Sequence, residues 1–290
     1  MQLRPASPDD VPALLALQHA FDARWFGAPE HDADEVRELL DLADATQVAW
    51  AAGRAVAAAA AWRTGGQLVV DPAADVDAVQ AALIPWLEAA GAPEVEALSL
   101  DERLRSGLEA HGWRYAHSAY DLLRPLPFDL PAPRLPDGVE FRALPAARLP
   151  ELHRLIYLDA GWAEIPGHHH RDFAEWRSIF VDGRSEQERP VVAWRGDTPV
   201  AAAVVRRFSD GTGWIAQLAV SRGERRTGLG TATLLAAYHR LSALPGVTSL
   251  GLAVMATNPA ALDLYLRVGL EIQREWRTYR PPRSAEPPVS

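Results

Sequence analysis

Two hydrophobic periods alternate along this chain. Short apolar or alternating runs are interleaved with longer stretches in which apolar residues recur every three to four positions. The first pattern predicts strands and the second amphipathic helices. In the C-terminal half the reading is a strand at 139–143, helices near 146–160 and 171–182, and strands at 190–195 and 199–208. A strand at 214–220, a helix at 229–243, a strand at 247–255, a helix at 259–268 and terminal strands near 270–280 complete it. Leu234, Leu235, Tyr238 and Leu241 fall at helical spacing within 229–243. Strands and helices mixed in this order predict an α/β (α+β) fold.

The pattern occurs twice. Leu3-Arg4 and Phe141-Arg142 each open a short strand, and Val48-Ala49-Trp50 matches Val192-Ala193-Trp194. Val56-Ala57-Ala58-Ala59 matches Val200-Ala201-Ala202-Ala203, Gly112 matches Gly269, and Arg124-Pro125 matches Arg280-Pro281. The offset grows from 138 to 144 to about 157, so the second copy carries insertions. Between the copies, residues 125–138 hold five prolines in fourteen positions, which predicts a stiff, extended connector. The reading is therefore a first domain at 1–125, a proline-rich linker at 126–137 and a second domain at 138–280. The proline-rich tail, 281–290, has no periodicity and is expected to be disordered.

Composition narrows the chemistry. At 290 residues, 48% hydrophobic and 23% charged, the chain can bury the cores of two ordinary domains. All 29 basic residues are arginine, which removes Schiff-base chemistry and the P-loop lysine. The absence of cysteine removes thiol nucleophiles, disulfides and cysteine metal sites. There is no Gly-x-Ser-x-Gly elbow, so an acyl-transferring protein of this composition would have to pass the group directly from thioester to acceptor. No metal is expected. A net charge of −9 disfavours nonspecific nucleic-acid binding and is compatible with a cationic amine substrate. No apolar run is long enough to span a bilayer, so no membrane partner is expected. The first residues lack a signal-peptide pattern, and a cytoplasmic protein is the expectation. Abundant Ala, Arg and Pro look like a GC-rich bacterial genome. The sequence does not separate a monomer from a homodimer.

The most informative segment is 214–238. An apolar strand ends at Val220, a basic turn runs from Arg222 to Gly230, and a helix begins near Thr231. Unpaired amides at a helix start and the helix dipole together favour an anion there. The first copy has Asp71, Asp75 and Asp77 at this place, with neither glycine nor arginine. Three aspartates would repel a pyrophosphate. Asn258-Pro259, further on, reads as a helix cap with proline at the first helical position.

The spacing Arg225-x-x-Gly228-x-Gly230 after such a strand resembles the acyl-CoA pyrophosphate loop of the GNAT acetyltransferase family. The run from Asn258 through Tyr265 to Gly269-Leu270 resembles the second signature of that family. Asn258 is the one asparagine in the chain. The resemblance implies two tandem GNAT-like domains, each a mixed, mainly antiparallel sheet flanked by helices, the first a degenerate copy. This layout is similar to that of the mycothiol synthase group within the family.

The resemblance also implies the site. Backbone groups of Leu218, Ala219 and Val220 would bind the pantetheine of acetyl-CoA, with Leu218 as the oxyanion donor. Arg225, Arg226, Thr227, Gly228, Leu229, Gly230 and Thr231 would hold the pyrophosphate. The family more often has Pro at position 222 and Gly at 226; Arg stands at both. Asn258 and Tyr265 would flank the cofactor, with Tyr265 as general acid to the departing sulfur. The first copy has Leu108 where the second has Tyr265. A base is less evident: Trp214, Ala216 and Gln217 on the preceding strand cannot serve. The histidines of the 161–170 loop, His168 with His169 and His170, are candidates, since a histidine has a suitable pKa, but they read more readily as a surface run. The implied activity is N-acylation of a small-molecule or peptide amine by acetyl-CoA. The alternative is a protein that binds acyl-CoA without catalysis.

Overall fold

The computed structural model describes residues 1–164, 170–183, 185 and 188–282. The proposed tail falls mostly on 283–290, outside the described residues. The chain separates into two compact units, residues 1–119 with 274–290, and residues 120–273.

In the first unit the order is β1 (Gln2–Arg4), α1 (Val11–Trp25), α2 (Ala33–Leu42), β2 (Ala45–Ala51), β3 (Arg54–Trp62) and β4 (Gly65–Val70). Then come α3 (Val76–Ala89), β5 (Val95–Leu98) and α4 (Glu102–Ala110). β6 (Arg114–Pro125) carries the chain into the second unit. There, β7 (Val139–Arg142), α5 (Leu149–Arg154), α6 (Phe173–Phe180), β8 (Val191–Arg195) and β9 (Thr198–Arg207) follow. β10 (Thr212–Val220), α7 (Leu229–Ser242), β11 (Ser249–Met255), α8 (Pro259–Arg267) and β12 (Glu271–Arg280) complete the chain.

The repeat read from the sequence is a repeat in the backbone. β1, β2, β3 and β4 pair antiparallel in that order, and β7, β8, β9 and β10 do the same. Leu3 stands opposite Ala49, and Phe141 opposite Ala193. Even the irregularities recur: the register shifts between Ala49 and Trp50 and between Ala193 and Trp194. In each copy the next pairing is parallel, β4 with β5 and β10 with β11, as a crossover helix requires.

The repeat boundary and the unit boundary differ. The domains drawn at 1–125 and 138–280 follow the repeat, whereas residues 274–280 of β12 lie in the first unit. Tyr279 of β12 stands opposite Val95 of β5 and is buried in the first unit's core. The last residues of β6 lie beside β11 in the second unit, with Leu122 buried there. Each copy therefore closes its sheet with the final strand of the other. The connector 126–137 is also not a free spacer. Leu126, Phe128 and Leu130 pack on the second unit's core.

Two helix readings need correction. Residues 146–160 are not one helix: a 3-10 turn at Ala146–Arg148 precedes α5, and a π turn at Leu155–Asp159 follows it. The amide of Ala160 donates five residues back to the Leu155 carbonyl at 2.8 Å. The widened turn buries Leu155, Ile156 and Tyr157 together, which a regular helix would spread around its axis. The second helix is shorter than 171–182. It starts at Phe173, where the Asp172 side chain accepts from the Glu175 amide. The terminal strands near 270–280 are a single strand.

Candidate functional site

The site is built where β10 leaves β11. The two strands pair in parallel from Thr212 opposite Ser249 to Ile215 opposite Leu252, and there the ladder ends. Both strands continue, to Val220 and to Met255. The cause lies on the other side of β10: its register with β9 shifts between Ile215 and Gln217. One extra residue bends a strand and increases its local twist. Beyond the bulge, β10 pairs with β9 alone as far as Val220 opposite Ala201.

This arrangement sets the direction of the backbone amides. Ser221 donates to the Val200 carbonyl of the neighbouring strand at 2.9 Å. Antiparallel pairing alternates, so Ala219 and Gln217 face β9 as well. Leu218 and Val220 therefore turn their N–H and C=O groups toward the gap left by β11. A peptide-like ligand could add there as a strand would.

α7 begins at the end of that gap. Its buried face includes Leu234, Leu235, Tyr238 and Leu241, the residues whose spacing predicted it. Gly228 is its N-cap, left-handed at φ +86, a conformation that glycine adopts without steric cost. No side chain caps this end. The first intrahelical bond runs from the Ala232 amide to the Gly228 carbonyl at 3.0 Å, so the amides of Leu229, Gly230 and Thr231 have no helical acceptor. A Cβ on Gly228 would meet nothing within 4 Å, whereas one on Gly230 would touch Leu264 and Val220 at 3.5 Å. Gly228 thus serves by its conformation and by the space it leaves open.

The basic turn is tied down. Arg225 donates to the Ala160 carbonyl at 2.6 Å, and Arg222 pairs with Glu164. That pairing holds the Glu164 carboxyl below its usual range. Glu224 forms a two-pronged pair with Arg195 at 2.6 and 2.8 Å, which likewise depresses its pKa. Arg226, at φ +65 and exposed, turns the chain toward the helix. Arginine is an uncommon residue for that conformation.

Asn258 caps α8, its side-chain oxygen accepting from the Ala261 amide at 3.3 Å. Tyr265 on α8 is buried, and burial pushes its hydroxyl up to about 12. Tyr238 of α7 belongs to the same core. Its hydroxyl is buried without a hydrogen-bond partner among the described residues, and burial, with the nearby Tyr265, holds its pKa well above the usual tyrosine value.

β10 offers no base. Gln217 is buried and accepts from the Trp176 indole N–H at 2.8 Å. His168 and His169 lie outside the described residues. His170 is exposed and packs against Tyr157 and His153, with ring centroids at 4.9 and 5.7 Å. Among the described residues no group of three or more His, Asp or Glu could hold a metal ion. No described helix is long and apolar enough to cross a membrane.

Residues 149–270, which contain this whole arrangement, match the sequence profile of the acetyltransferase (GNAT) family. The second unit is a GNAT-family acetyltransferase domain. The GNAT fold extends over both copies. A GCN5-related N-acetyltransferase from Sphaerobacter thermophilus superposes with a TM-score of 0.79 at 22% identity, over 96% of this chain and 94% of that one. A tandem GNAT protein from the clavulanic acid biosynthesis pathway gives 0.73 at 18% identity, over 96% and 97%. A GCN5-related N-acetyltransferase from Kribbella flavida gives 0.62 at 20% identity, over 86% and 93%. No curated protein sequence matches the chain.

The GNAT domain draws together most of the residues singled out from the sequence. Sequence reasoning missed the connector, because Asp129 and Arg134 line a cavity at the start of α7 along with Arg124 and Arg267. Arginine 124, 134 and 267 lie far apart in the chain, and only the proline run hinted at an ordered wall.

Proposed function

We propose that the GNAT domain binds acetyl-CoA along the β10–β11 gap and transfers the acetyl group directly to an amine of a small molecule or peptide. One observation carries this reading: the gap-facing amides of Leu218 and Val220 lead to the uncapped start of α7. The first pair suits an extended pantetheine arm, and the second suits a pyrophosphate. Thr227, Gly228, Leu229, Gly230 and Thr231 form the cradle in this reading, with Ala219 beside the arm. Arg225 and Arg226 add charge at its edge, and Asn258 holds the α8 start beside it.

The chemistry follows from these positions. The amine nitrogen attacks the thioester carbonyl, and its lone pair becomes the new C–N bond. Charge collects on the carbonyl oxygen, where the Leu218 amide contributes roughly 3–4 kcal/mol to the transition state. The C–S bond then breaks with its electron pair on sulfur. Tyr265 donates its hydroxyl proton to that sulfur and regains one from water. With a pKa raised to about 12, the hydroxyl is protonated throughout the physiological range and acts as a donor, never as a base.

The amine's own proton leaves through water in this reading, since Gln217 is locked to Trp176. The rate should then climb with pH toward the pKa of the acceptor amine. Single substitutions of His168, His169 or His170 should each cost less than the roughly 100-fold expected of a dedicated base. A panel of primary amines with acetyl-CoA, followed by free-thiol release, tests the activity. Thiol release above the acceptor-free rate supports it. Tight acetyl-CoA binding without turnover on any amine would leave a binding protein instead.

A further inference from the structure

The first unit holds a cavity between its sheet and the pair α1 and α2, with about 620 Å³ of empty space including its mouth. Leu14 and Leu17 of α1, Val36 of α2, Ala58 of β3, and Gln67 and Val69 of β4 line it. Because the chain repeats itself, the second unit shows what fills the same place there.

The occupant in the second unit is Trp176. α2 and α6 each begin at an aspartate, Asp32 and Asp172, whose side chain accepts from the amide three residues on. Four residues beyond each cap stand Val36 and Trp176. Trp176 is buried in a cluster with Leu152, Leu155, Ala202 and Ala219. Their counterparts in the first copy are Leu14, Leu17, Ala58 and Val69, all around the cavity. The strand register agrees, since Val69 stands opposite Ala58 and Ala219 opposite Ala202. Valine at the tryptophan position removes a bicyclic ring from a packed site, and incomplete collapse around such a loss leaves a void.

The polar contact of that ring is also left open. Gln67 stands opposite Ala60, and Gln217 opposite Val204, the next position of the repeated run. Gln217 accepts from the Trp176 indole N–H at 2.8 Å. The Gln67 side chain has no hydrogen-bond partner among the described residues. The other polar groups at the cavity are engaged. Gln18 and His31 each donate to Asp22 at 2.9 Å. Glu35 accepts from the Asp32 amide at 3.0 Å, and Thr46 from the Ala6 amide at 3.1 Å. A guest therefore meets apolar walls and one open carboxamide. Apolar cavities of this kind accept ring-sized guests, and a buried amide favours one that completes its hydrogen bond.

We propose that this cavity is a ligand site for a neutral, planar aromatic heterocycle with a ring N–H, which takes the place of the missing tryptophan and donates to Gln67. The first unit, with an aspartate capping its α3 start, then contributes a small-molecule site of its own. The proposal does not depend on the acyl-CoA reading of the second unit.

Calorimetry on the full chain, with indole and its oxygen isostere benzofuran as probes, tests this. Indole should bind with a dissociation constant of about 0.1–1 mM, the range open to so small a ligand. Benzofuran, which lacks the N–H, should bind about 3- to 10-fold more weakly. Gln67→Leu should bring the two probes within about twofold of each other. Val36→Trp places the ring of the second unit in the first, so it should abolish indole binding and keep or raise the wild-type melting temperature. Failure of indole to bind wild type overturns the proposal, as does benzofuran binding as tightly as indole. Indole binding that persists in Val36→Trp, or a preference for indole that survives in Gln67→Leu, overturns it too. A marked fall in the melting temperature of Val36→Trp would show that the space does not hold an indole and would equally contradict it.

Discussion

In the first unit β4 passes into α3 through Asp71 to Asp75, while in the second β10 passes into α7 through Ser221 to Gly228. The two turns start from the same bond. Asp71 donates its amide to the Val56 carbonyl, and Ser221 donates to the repeat-related Val200 carbonyl, each at 2.9 Å. From there the chemistry diverges. Asp71 accepts from the Ala73 amide at 2.8 Å and pairs with Arg54 at 2.8 Å. Asp75 caps α3 by accepting from the Ala78 amide at 3.2 Å. The first unit thus supplies its own anions to its own helix start. The longer second turn ends in a glycine without a side chain, and the first α7 amides are left without a side-chain cap. A helix start favours an anion in either case; the first turn supplies one as a side chain, and the second supplies none. α4 and α8 differ in the same sense, with buried Leu108 where α8 carries Tyr265.

That contrast can be broken most severely at Gly228. Gly228→Asp brings the self-capping carboxylate of the first unit into the second, at a left-handed position and against the pyrophosphate. Acetyl-CoA affinity should fall more than about 100-fold by calorimetry. Retention of affinity within a few-fold would mean that the start of α7 does not hold the phosphates. Tyr265→Phe comes next. It keeps the packing and removes the hydroxyl, so turnover should fall roughly 10- to 1000-fold with little change in acetyl-CoA affinity. Unchanged turnover in a chemistry-limited assay would reduce Tyr265 to a core residue, like Leu108.

The smaller effects concern the carboxylates of the first unit. Asp10 is buried, and two bonds to the Arg4 guanidinium at 2.6 and 2.7 Å hold its pKa at about 2. A depressed carboxyl stabilises the fold above its unfolded value near 4 and loses that contribution as pH falls through about 2. Asp10→Asn should therefore cost roughly 1–2 kcal/mol at pH 7, allowing for screening around half-exposed Arg4. The difference from wild type should shrink between pH 4 and 2 in denaturant titrations. A pH-independent difference would point to packing instead. Asp75→Ala should cost about 1 kcal/mol of stability, the usual value of a cap, without creating a nucleotide site. Acetyl-CoA binding by the first unit of that variant would show that the carboxylate alone had excluded it.

The parts of the fold legible in the sequence are those set by local spacing. Leu234, Leu235, Tyr238 and Leu241 define α7 because a helix repeats every 3.6 residues. Gly228 marks its start because few residues take a left-handed cap. The duplication is legible because both copies keep the same apolar strands. What escaped depends on partners distant in the chain. Residues 271–280 read as a strand, but nothing in their pattern says that Tyr279 joins the first unit's core. The bond from Trp176 to Gln217 spans 41 positions, so Gln217 could be dismissed as a base without its structural task being visible. The connector is the largest omission. A proline-rich run looks the same whether it crosses solvent or lies against a core, and the apolar Leu126, Phe128 and Leu130 were the signal that separates the two.

Calorimetric titration of the full chain with acetyl-CoA tests the difference between the units most directly. One site per chain is the prediction, because Asp75 caps the start of α3 whereas no side chain caps the repeat-related start of α7. Two equivalent sites, or a single site that persists unchanged in Gly228→Asp, would contradict it.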